Sequence, residues 1–180
     1  MPRERKRKQL ETAAETYDCA LNLLSFRDHS QKELRQKLAR RGANKEQVEE
    51  SLEKLTDYGI MDEERYAQRV YEAWLAKRVY GHQHLQAELN KRGVPQQYCA
   101  QVLGQYTEAM EAERAELAAE QFCKLNRKKI EQGMASGEPK DRQKLYAAAG
   151  RYLVARGFGG GYMELVLEKM KAIALEAQED

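Results

Sequence analysis

An Arg-Gly pair recurs three times along this chain, each time followed by an apolar residue, and the recurrence limits the folds that the chain can adopt. The copies are Arg41-Gly42-Ala43, Arg92-Gly93-Val94 and Arg156-Gly157-Phe158. Apolar side chains recur four residues before each glycine and six, ten and thirteen residues after it. In chain order these positions hold Leu38, Leu89 and Leu153, then Val48, Cys99 and Met163, then Leu52, Leu103 and Leu167, then Leu55, Tyr106 and Met170. Self-similarity of this kind predicts one structural unit repeated three times.

The spacing of these apolar residues predicts two helices around each glycine. Offsets of three and four residues lie on one helix face. An apolar-striped helix therefore ends near the glycine, and a second one begins within about two residues of it. Glycine fits the left-handed conformation that closes a helix. A further helix precedes each pair, over about 13–27, 62–78 and 108–130.

Capping residues mark two of the predicted helix starts. Asp62 is a good N-cap, and the preceding Met61 can pack onto Tyr66 as a hydrophobic staple. Ser30 and Glu33 have the spacing of a capping box, in which each side chain binds the other residue's backbone amide. We therefore expect a helix to begin directly after Asp62 and another directly after Ser30.

The predicted fold class is all-α, with three tandem three-helix repeats that are helix-turn-helix-like. Ala, Leu, Glu, Lys, Arg and Gln dominate the composition, and these residues lose least on entering a helix. One repeat buries too little surface to be comfortably stable alone, which favours stacking of the repeats. The predicted boundaries are a basic, disordered arm over 1–12, repeats over 13–59, 60–107 and 108–175, a flexible loop near 131–140 and a tail over 176–180.

The formal net charge of +2 conceals segments of opposite sign. Residues 27–45 are basic, 46–64 are acidic and 65–92 are basic again. One interpretation is a well-solvated surface of mixed charge. The other is a basic face that binds a polyanion or an acidic partner.

Cysteine usage and hydropathy predict the compartment. The chain has three cysteines, Cys19, Cys99 and Cys123, and an odd number without a signal peptide indicates a reducing environment. No apolar run approaches the length of about 18 residues that a membrane-spanning helix needs. We therefore expect a soluble, cytoplasmic protein without a membrane segment.

No group of residues has the pattern of an active site or a cofactor site. His82, His84 and Cys99 fit no common zinc spacing, and a core cysteine with surface histidines is the simpler interpretation. Residues 159–161 are three glycines, but the Lys-Ser/Thr ending of a phosphate-binding loop is absent and no strand precedes them. The sequence therefore predicts a binding protein, with no enzyme activity, cofactor or metal.

Four stretches, in order along the chain, resemble the RecX proteins. Residues 20–42 are similar to the first RecX repeat, and 58–67 to the joint between the first and second repeats. Residues 77–81 with 85–93 are similar to the second repeat, and 151–158 to the third. The resemblance covers about 15–173, and the order of the four stretches makes it specific.

The resemblance implies a fold and a function. RecX proteins have three tandem three-helix repeats in an elongated, curved array, which agrees with the repeats predicted above. They regulate RecA, mainly by inhibition. They bind its filament on single-stranded DNA and limit filament extension, strand exchange and the co-protease activity of the SOS response. They have no known catalytic chemistry. The resemblance therefore implies a binding protein whose partner is the RecA filament. We expect it to be a monomer.

The third repeat departs from the first two. Ala149 stands where they have Leu34 and Leu85, and glycines occupy 159–161 at the start of the last helix. Each glycine inside a helix costs about 1 kcal/mol relative to alanine. We therefore expect the third repeat to be looser than the others and to contribute less to filament binding.

Basic residues are the candidate binding residues. They cluster around the middle helices, and stacking of the repeats would line them up along one face suited to a DNA-bearing filament. A direct DNA contact is compatible with this face. The candidates are Arg27, Lys32, Arg35, Arg40, Arg41, Lys77, Arg78, Lys91, Arg92 and Arg156.

Two other functions stay open on the sequence alone. Tandem short helices also occur in stand-alone nucleic-acid-binding proteins. However, the helix after Gly42 begins with the acidic stretch 44–50, which would repel phosphate. A general helical-repeat scaffold with some other partner is the second alternative.

Overall fold

The computed structural model describes residues 9–179, and every regular element in that range is helical. The helices are α1 Ala13–Phe26, α2 Gln31–Ala39, α3 Lys45–Asp57, α4 Glu63–Leu75, α5 His82–Arg92, α6 Gln96–Leu103, α7 Glu108–Ala135, α8 Pro139–Ala155 and α9 Met163–Glu179, with one 3₁₀ turn at Gly160–Tyr162. The predicted all-α class is confirmed. The predicted basic arm over 1–12 lies outside the described residues up to residue 8, as does residue 180 of the predicted tail.

The repeated glycines end the three middle helices, α2, α5 and α8, in the predicted left-handed conformation. Their φ angles are +93° at Gly42, +73° at Gly93 and +81° at Gly157. The residue after each glycine donates its amide to a carbonyl five residues earlier, which closes the helix. These bonds are Ala43 to Leu38 at 3.3 Å, Val94 to Leu89 at 3.1 Å and Phe158 to Leu153 at 3.0 Å. The same helix ending is therefore built three times.

The helix that follows each glycine begins as predicted in two repeats and later in the third. Asn44 caps α3, and α6 begins at Gln96. After Gly157 the chain instead makes the 3₁₀ turn Gly160–Tyr162 before α9 begins at Met163. The glycines at 159–161 explain the delay, because they offer no capping side chain and disfavour a helical start.

The buried face of the third helices includes a position that the sequence pattern does not reveal. Nine residues after each repeat glycine stand Ser51, Val102 and Val166, which are 1%, 3% and 0% exposed. The residue in the first repeat is polar, so a search for recurring apolar residues misses this position. Ser51 is tolerated there because its hydroxyl donates to the Gln47 carbonyl at 2.7 Å, which satisfies the polar group within the helix.

The prediction of a flexible loop over about 131–140 is wrong, because the connection in the structure is much shorter. Helix α7 continues to Ala135 and α8 begins at Pro139, so only residues 136–138 connect them. Proline is favourable in the first turn of a helix, where no amide donor is needed. Gly133 belongs to α7, where a Cβ would lie 2.7 Å from Leu145 Cδ1. The glycine thus permits close packing of α7 and α8 and does not break the helix.

The described residues divide into two compact units. Unit 1 comprises residues up to 72 together with 88–102, and unit 2 comprises 73–87 together with residues from 103 onward. The core of unit 1 is formed by α1–α3, with Ala20, Leu34, Leu38 and Leu55 fully buried. The core of unit 2 is formed mainly by α7–α9, where Ala149 is as fully buried as Leu34.

Within each unit, the start of one middle helix contacts the Arg-Gly pair that ends the next middle helix. In unit 1, Ser30 Oγ donates to the Arg92 carbonyl at 2.6 Å. In unit 2, the Gly81 amide donates to the Arg156 carbonyl at 2.8 Å. Ser30 and Gly81 each stand twelve residues before a repeat glycine, so the same joint is made twice. Serine uses its hydroxyl and glycine its backbone, which is why no shared residue marks the joint.

The repeat glycines also allow the close approach at these joints. A Cβ on Gly93 would lie 2.8 Å from Lys32 Cδ, and a Cβ on Gly157 would lie 2.2 Å from the His84 backbone nitrogen. Lys32 can move its side chain, whereas the backbone of His84 is fixed in α5. The third glycine is therefore required for packing as well as for helix closure, whereas the side chain beside the second one can adjust.

Candidate functional site

The candidate basic residues fall into both units. Unit 1 holds seven of them, namely Arg27, Lys32, Arg35, Arg40, Arg41, Lys91 and Arg92. Unit 2 holds the other three, Lys77, Arg78 and Arg156. Most of the unit 1 candidates lie on α2 or beside its ends. A face that joins all ten residues stays a prediction.

Three candidates form what we call the unit 1 basic surface: Lys32, Arg40 and Lys91. All three are exposed, and none has an ion pair with any residue in the described range. Lys32 and Arg40 are eight residues apart on or next to α2, so they lie on one helix face. The stem of Lys32 packs on Gly93, which brings it beside the end of α5 that carries Lys91.

Arg27 and Arg92 are each paired with a carboxylate. Arg27 donates to both oxygens of Glu33, and Arg92 Nε donates to Glu88 Oε1 at 2.8 Å. Burial favours protonation of Glu33, but the hydrogen bond from Arg27 and the nearby positive charges outweigh it, so the pKa of Glu33 lies below its usual value. These two arginines therefore contribute less free positive charge than the sequence suggests.

Arg35 joins α2 to α3. Its Nε and Nη2 donate to Glu49 Oε1 and Oε2 at 2.8 and 2.9 Å. This bidentate hydrogen bond raises the pKa of Arg35 and lowers that of Glu49. Both side chains are nearly half exposed, and exposed pairs of this kind contribute up to about 1 kcal/mol. Arg35 therefore connects two helices of the first repeat and is less available to a partner.

Arg41 faces α1. Its Nη1 lies 2.7 Å from Cys19 Sγ, and its carbonyl accepts from the Leu10 amide at 2.9 Å. Arg41 is half-buried. The guanidinium is therefore less available to a partner than that of the neighbouring Arg40.

Arg156 stacks on aromatic rings in unit 2. Its Cζ lies 3.5 Å from the ring centroid of Tyr152 and 5.8 Å from that of Tyr80. Its Nε is buried and has no hydrogen-bond partner among the described residues. The carbonyl of Arg156 forms the joint with Gly81, so this residue is mainly structural. The two remaining candidates, Lys77 and Arg78, are exposed, and Arg78 lies 3.6 Å from Glu113.

Both predicted N-cap hydrogen bonds are confirmed, whereas the packing of Met61 on Tyr66 stays a prediction. Asp62 Oδ1 accepts from the Arg65 amide at 2.9 Å, and Ser30 Oγ accepts from the Glu33 amide at 3.1 Å. The second half of the predicted capping box at Ser30 is wrong, because the Glu33 carboxylate binds Arg27 instead. An arginine close by outcompetes a backbone amide for a carboxylate, since both partners are charged.

The sequence gives no sign that Arg114 is a buried structural cation. Arg114 is 7% exposed. Its guanidinium donates to the carbonyls of Leu75 at 2.6 Å, Lys77 at 2.9 Å and Tyr80 at 3.3 Å. It also lies 4.5 Å from the ring centroid of Trp74. Arg114 therefore satisfies the carbonyls at the end of α4 and in the segment that follows.

His29 is a buried histidine beside Arg27 and Glu33. Its Nδ1 lies 2.8 Å from the Arg27 carbonyl, so this nitrogen carries the proton, while Nε2 is buried without a hydrogen-bond partner among the described residues. Burial lowers the pKa of His29 below 6.5, against the opposing effects of the Arg27 carbonyl and the Glu33 charge. The folded protein therefore holds His29 neutral.

We expect His29 to make the protein less stable in mild acid. The unfolded chain protonates this imidazole near pH 6.5, whereas the folded chain does so only at lower pH. The free energy of unfolding should therefore fall as the pH drops through about 6.5. Urea unfolding between about pH 7.5 and 5.5, compared with His29→Gln, measures the effect. The wild type should lose more stability than the variant over this window, and equal losses would contradict the assignment.

The described range offers neither a metal site nor a membrane span. Between residues 9 and 179, no three His, Cys, Asp or Glu side chains are grouped so that they could hold a metal ion. In the same range, no helix combines the length and the apolarity needed to cross a membrane. His84 Nδ1 accepts a hydrogen bond from Trp74 Nε1 at 2.9 Å, and Cys99 is buried.

Comparison with known proteins identifies the family. Residues 17–55 match the family model described as RecX, first three-helix domain. The chain is 32% identical over 163 residues to the regulatory protein RecX of Halorhodospira halophila, an alignment that covers 91% of this chain and 88% of the relative. The chain belongs to the RecX family. A second RecX, from Trichlorobacter lovleyi, is 30% identical over 159 residues, which cover 87% of this chain and 96% of that protein.

Solved RecX structures share the fold. The crystal structure of RecX from Lactobacillus salivarius matches with a TM-score of 0.66 at 19% identity, covering 89% of this chain and 97% of that one. A second crystal structure of regulatory protein RecX matches with a TM-score of 0.68 at 22% identity, covering 87% of this chain and 73% of that one. The resemblance to RecX predicted from the sequence is confirmed, and so is the fold class.

Proposed function

We propose that this chain binds the RecA nucleoprotein filament on single-stranded DNA and limits filament extension, strand exchange and SOS co-protease activity. It acts as a monomer in the cytoplasm and as a binding protein without catalytic activity. The observation that carries the proposal is similarity along almost the whole chain to proteins named as regulatory, 91% of this chain against 88% of one relative. Similarity of that extent includes all three repeats.

The unit 1 basic surface supports a contact with a polyanionic filament. Lys32, Arg40 and Lys91 are exposed and unpaired within the described part of the chain, so their charges act outward. Arg27, Arg35 and Arg92 are held by carboxylates of the same unit. We therefore assign the main electrostatic contacts to the three unpaired residues, and only supporting roles to the paired ones.

Reversing the three unpaired charges should weaken filament binding. The variant Lys32→Glu, Arg40→Glu, Lys91→Glu replaces attraction by repulsion at the contact, and we expect at least about a tenfold loss of affinity. Co-sedimentation with RecA assembled on single-stranded DNA measures it. The matched control Lys45→Glu, Arg151→Glu, Lys171→Glu reverses three other exposed, unpaired charges and should bind nearly as the wild type does.

Two outcomes would count against this assignment. If both triple variants lose affinity equally, net charge governs binding and the unit 1 basic surface is not the contact. If the wild type binds a bare duplex as tightly as it binds the filament, with a steep salt dependence, the protein is a stand-alone nucleic-acid binder instead. Circular dichroism checks that both variants keep their helices.

A further inference from the structure

Among the described residues, the hairpin formed by the end of α7 and the start of α8 carries the densest unassigned positive charge. Residues 124–144 hold seven Lys and Arg against three acidic residues, although the whole chain has a formal net charge of only +2. None of these cations belongs to the candidate set above. We call residues 124–144 the basic hairpin.

The acidic residues of the basic hairpin do not neutralise most of its cations. Glu131 binds Arg127 Nε at 2.8 Å, and Asp141 binds Lys144 Nζ at 2.9 Å. Arg127 is held by Glu176 of α9 as well. The remaining five cations are exposed and have no ion pair with a residue of the described range. They are Lys124, Lys128, Lys129, Lys140 and Arg142.

All five cations lie on helices, three on α7 and two on the first turn of α8. Lys124 and Lys128 are one turn apart on α7, and only residues 136–138 separate α7 from α8. The close contact between Gly133 and Leu145 packs the two helices together near the turn. Lys129 lines a depression between α7 and α8 together with the ion pair of Asp141 and Lys144, so charged side chains of both helices border one surface.

The start of α8 adds a favourable backbone field. Glu138 is the N-cap residue, but its side chain makes no capping hydrogen bond. The first amides of a helix carry partial positive charge that attracts anions. Lys140 and Arg142 lie in the first turn of α8, so the side-chain charges and the helix terminus reinforce one another.

We propose that the basic hairpin binds the phosphate backbone of nucleic acid without reading its sequence. Four of the five free cations are lysines, which act as flexible point charges and suit a repeating phosphate backbone. The surface is open and the five cations are exposed, so it lacks the desolvated core that a specific protein interface needs. The contact is independent of the proposed regulation of RecA, because it requires no other protein.

Fluorescence anisotropy with labelled oligonucleotides tests the proposal on the full chain. The wild-type protein should bind single strands of unrelated sequence with similar affinity. The same should hold among duplexes of unrelated sequence. The logarithm of the association constant should fall linearly with the logarithm of the salt concentration. The slope should be about 0.9 per contacted phosphate for a duplex and about 0.7 for a single strand. The variant with Lys124, Lys128, Lys129, Lys140 and Arg142 all changed to Gln should bind at least about tenfold more weakly, with a shallower salt slope.

A matched variant separates the basic hairpin from net charge. It changes five exposed cations that belong neither to the basic hairpin nor to the unit 1 basic surface, namely Lys45, Lys54, Arg65, Arg151 and Lys171, to Gln. This control should keep affinity within about threefold of wild type. Equal losses in the two variants would overturn the assignment, as would a wild type that binds no oligonucleotide at low salt.

Two further results would also overturn the proposal. Polyglutamate that competes as well as an oligonucleotide of equal charge would show a surface for anionic chains in general. A strong preference for one sequence would show base readout. A negative result for the basic hairpin would not contradict filament binding through the unit 1 basic surface. That contact is tested with other residues and in the presence of RecA.

Discussion

Gly157→Ala is expected to lower the free energy of unfolding by about 3 kcal/mol or more. Alanine at a φ of +81° costs about 1–2 kcal/mol by itself. The added Cβ would also lie 2.2 Å from the His84 backbone nitrogen. Overpacking of this kind costs about 1–3 kcal/mol more, because the backbone of α5 cannot move aside as a side chain would. Urea unfolding followed by circular dichroism measures the change.

Gly137→Ala is the matched control for this prediction. Gly137 has a φ of +73°, and a Cβ there would have no neighbour within 4 Å. It belongs to the same unit as Gly157, so the two variants share the backbone penalty and differ in the clash. The control should lose only about 1–2 kcal/mol. Equal losses in the two variants would show that the contact of Gly157 with α5 is unimportant.

Arg114→Met is expected to cost about 3 kcal/mol or more. Methionine fills much of the same space, but it leaves the carbonyls of Leu75, Lys77 and Tyr80 without the donor that now satisfies them. A buried polar group left unpaired costs about 1–3 kcal/mol. The contact with the face of Trp74 is lost as well. Thermal and urea unfolding both report the loss.

Two further variants serve as controls for Arg114→Met. Arg78→Met removes an arginine whose side chain is 70% exposed and whose one ion pair among the described residues is with Glu113, at 3.6 Å, so it should cost less than about 1 kcal/mol. Arg114→Lys keeps the charge but not the planar fork of donors, and we expect an intermediate loss. An Arg114→Met variant as stable as Arg78→Met would contradict the structural role of Arg114.

The repeat could be predicted from the sequence because its chemistry is local. Glycine is the residue that closes a helix in the left-handed conformation at least cost, so Gly42, Gly93 and Gly157 mark three helix ends. The apolar residues at helical spacing mark the faces that pack. Substituting Ala149 for leucine changes the volume of the side chain but not its burial, so the pattern persists in the third repeat.

The joints between repeats could not be predicted, because they depend on backbone groups. Ser30 and Gly81 donate through different atoms to equivalent carbonyls, and no comparison of residue types links them. Arg114 is similar, since its three partners are carbonyl oxygens that any residue supplies. Serine and glycine at 136–137 suggested a long loop, but helix packing around Gly133 extends α7 nearly to that point.

The candidate site was predicted by residue type, and the structure separates its members by their partners. A count of Lys and Arg along the chain treats Arg40 and Arg35 alike. Glu49, fourteen residues after Arg35, binds that arginine, whereas Arg40 has no ion pair in the described range. Charge available to a partner depends on such long-range pairs, which the sequence does not display.

RecA-catalysed ATP hydrolysis on single-stranded DNA tests the proposed regulation most directly. Protein added well below the concentration of RecA should suppress hydrolysis clearly, because one molecule bound to a filament affects many RecA subunits. The Lys32→Glu, Arg40→Glu, Lys91→Glu variant should need a higher concentration for the same suppression. An unchanged rate of hydrolysis, even with the wild-type protein in excess over RecA, would contradict the proposal.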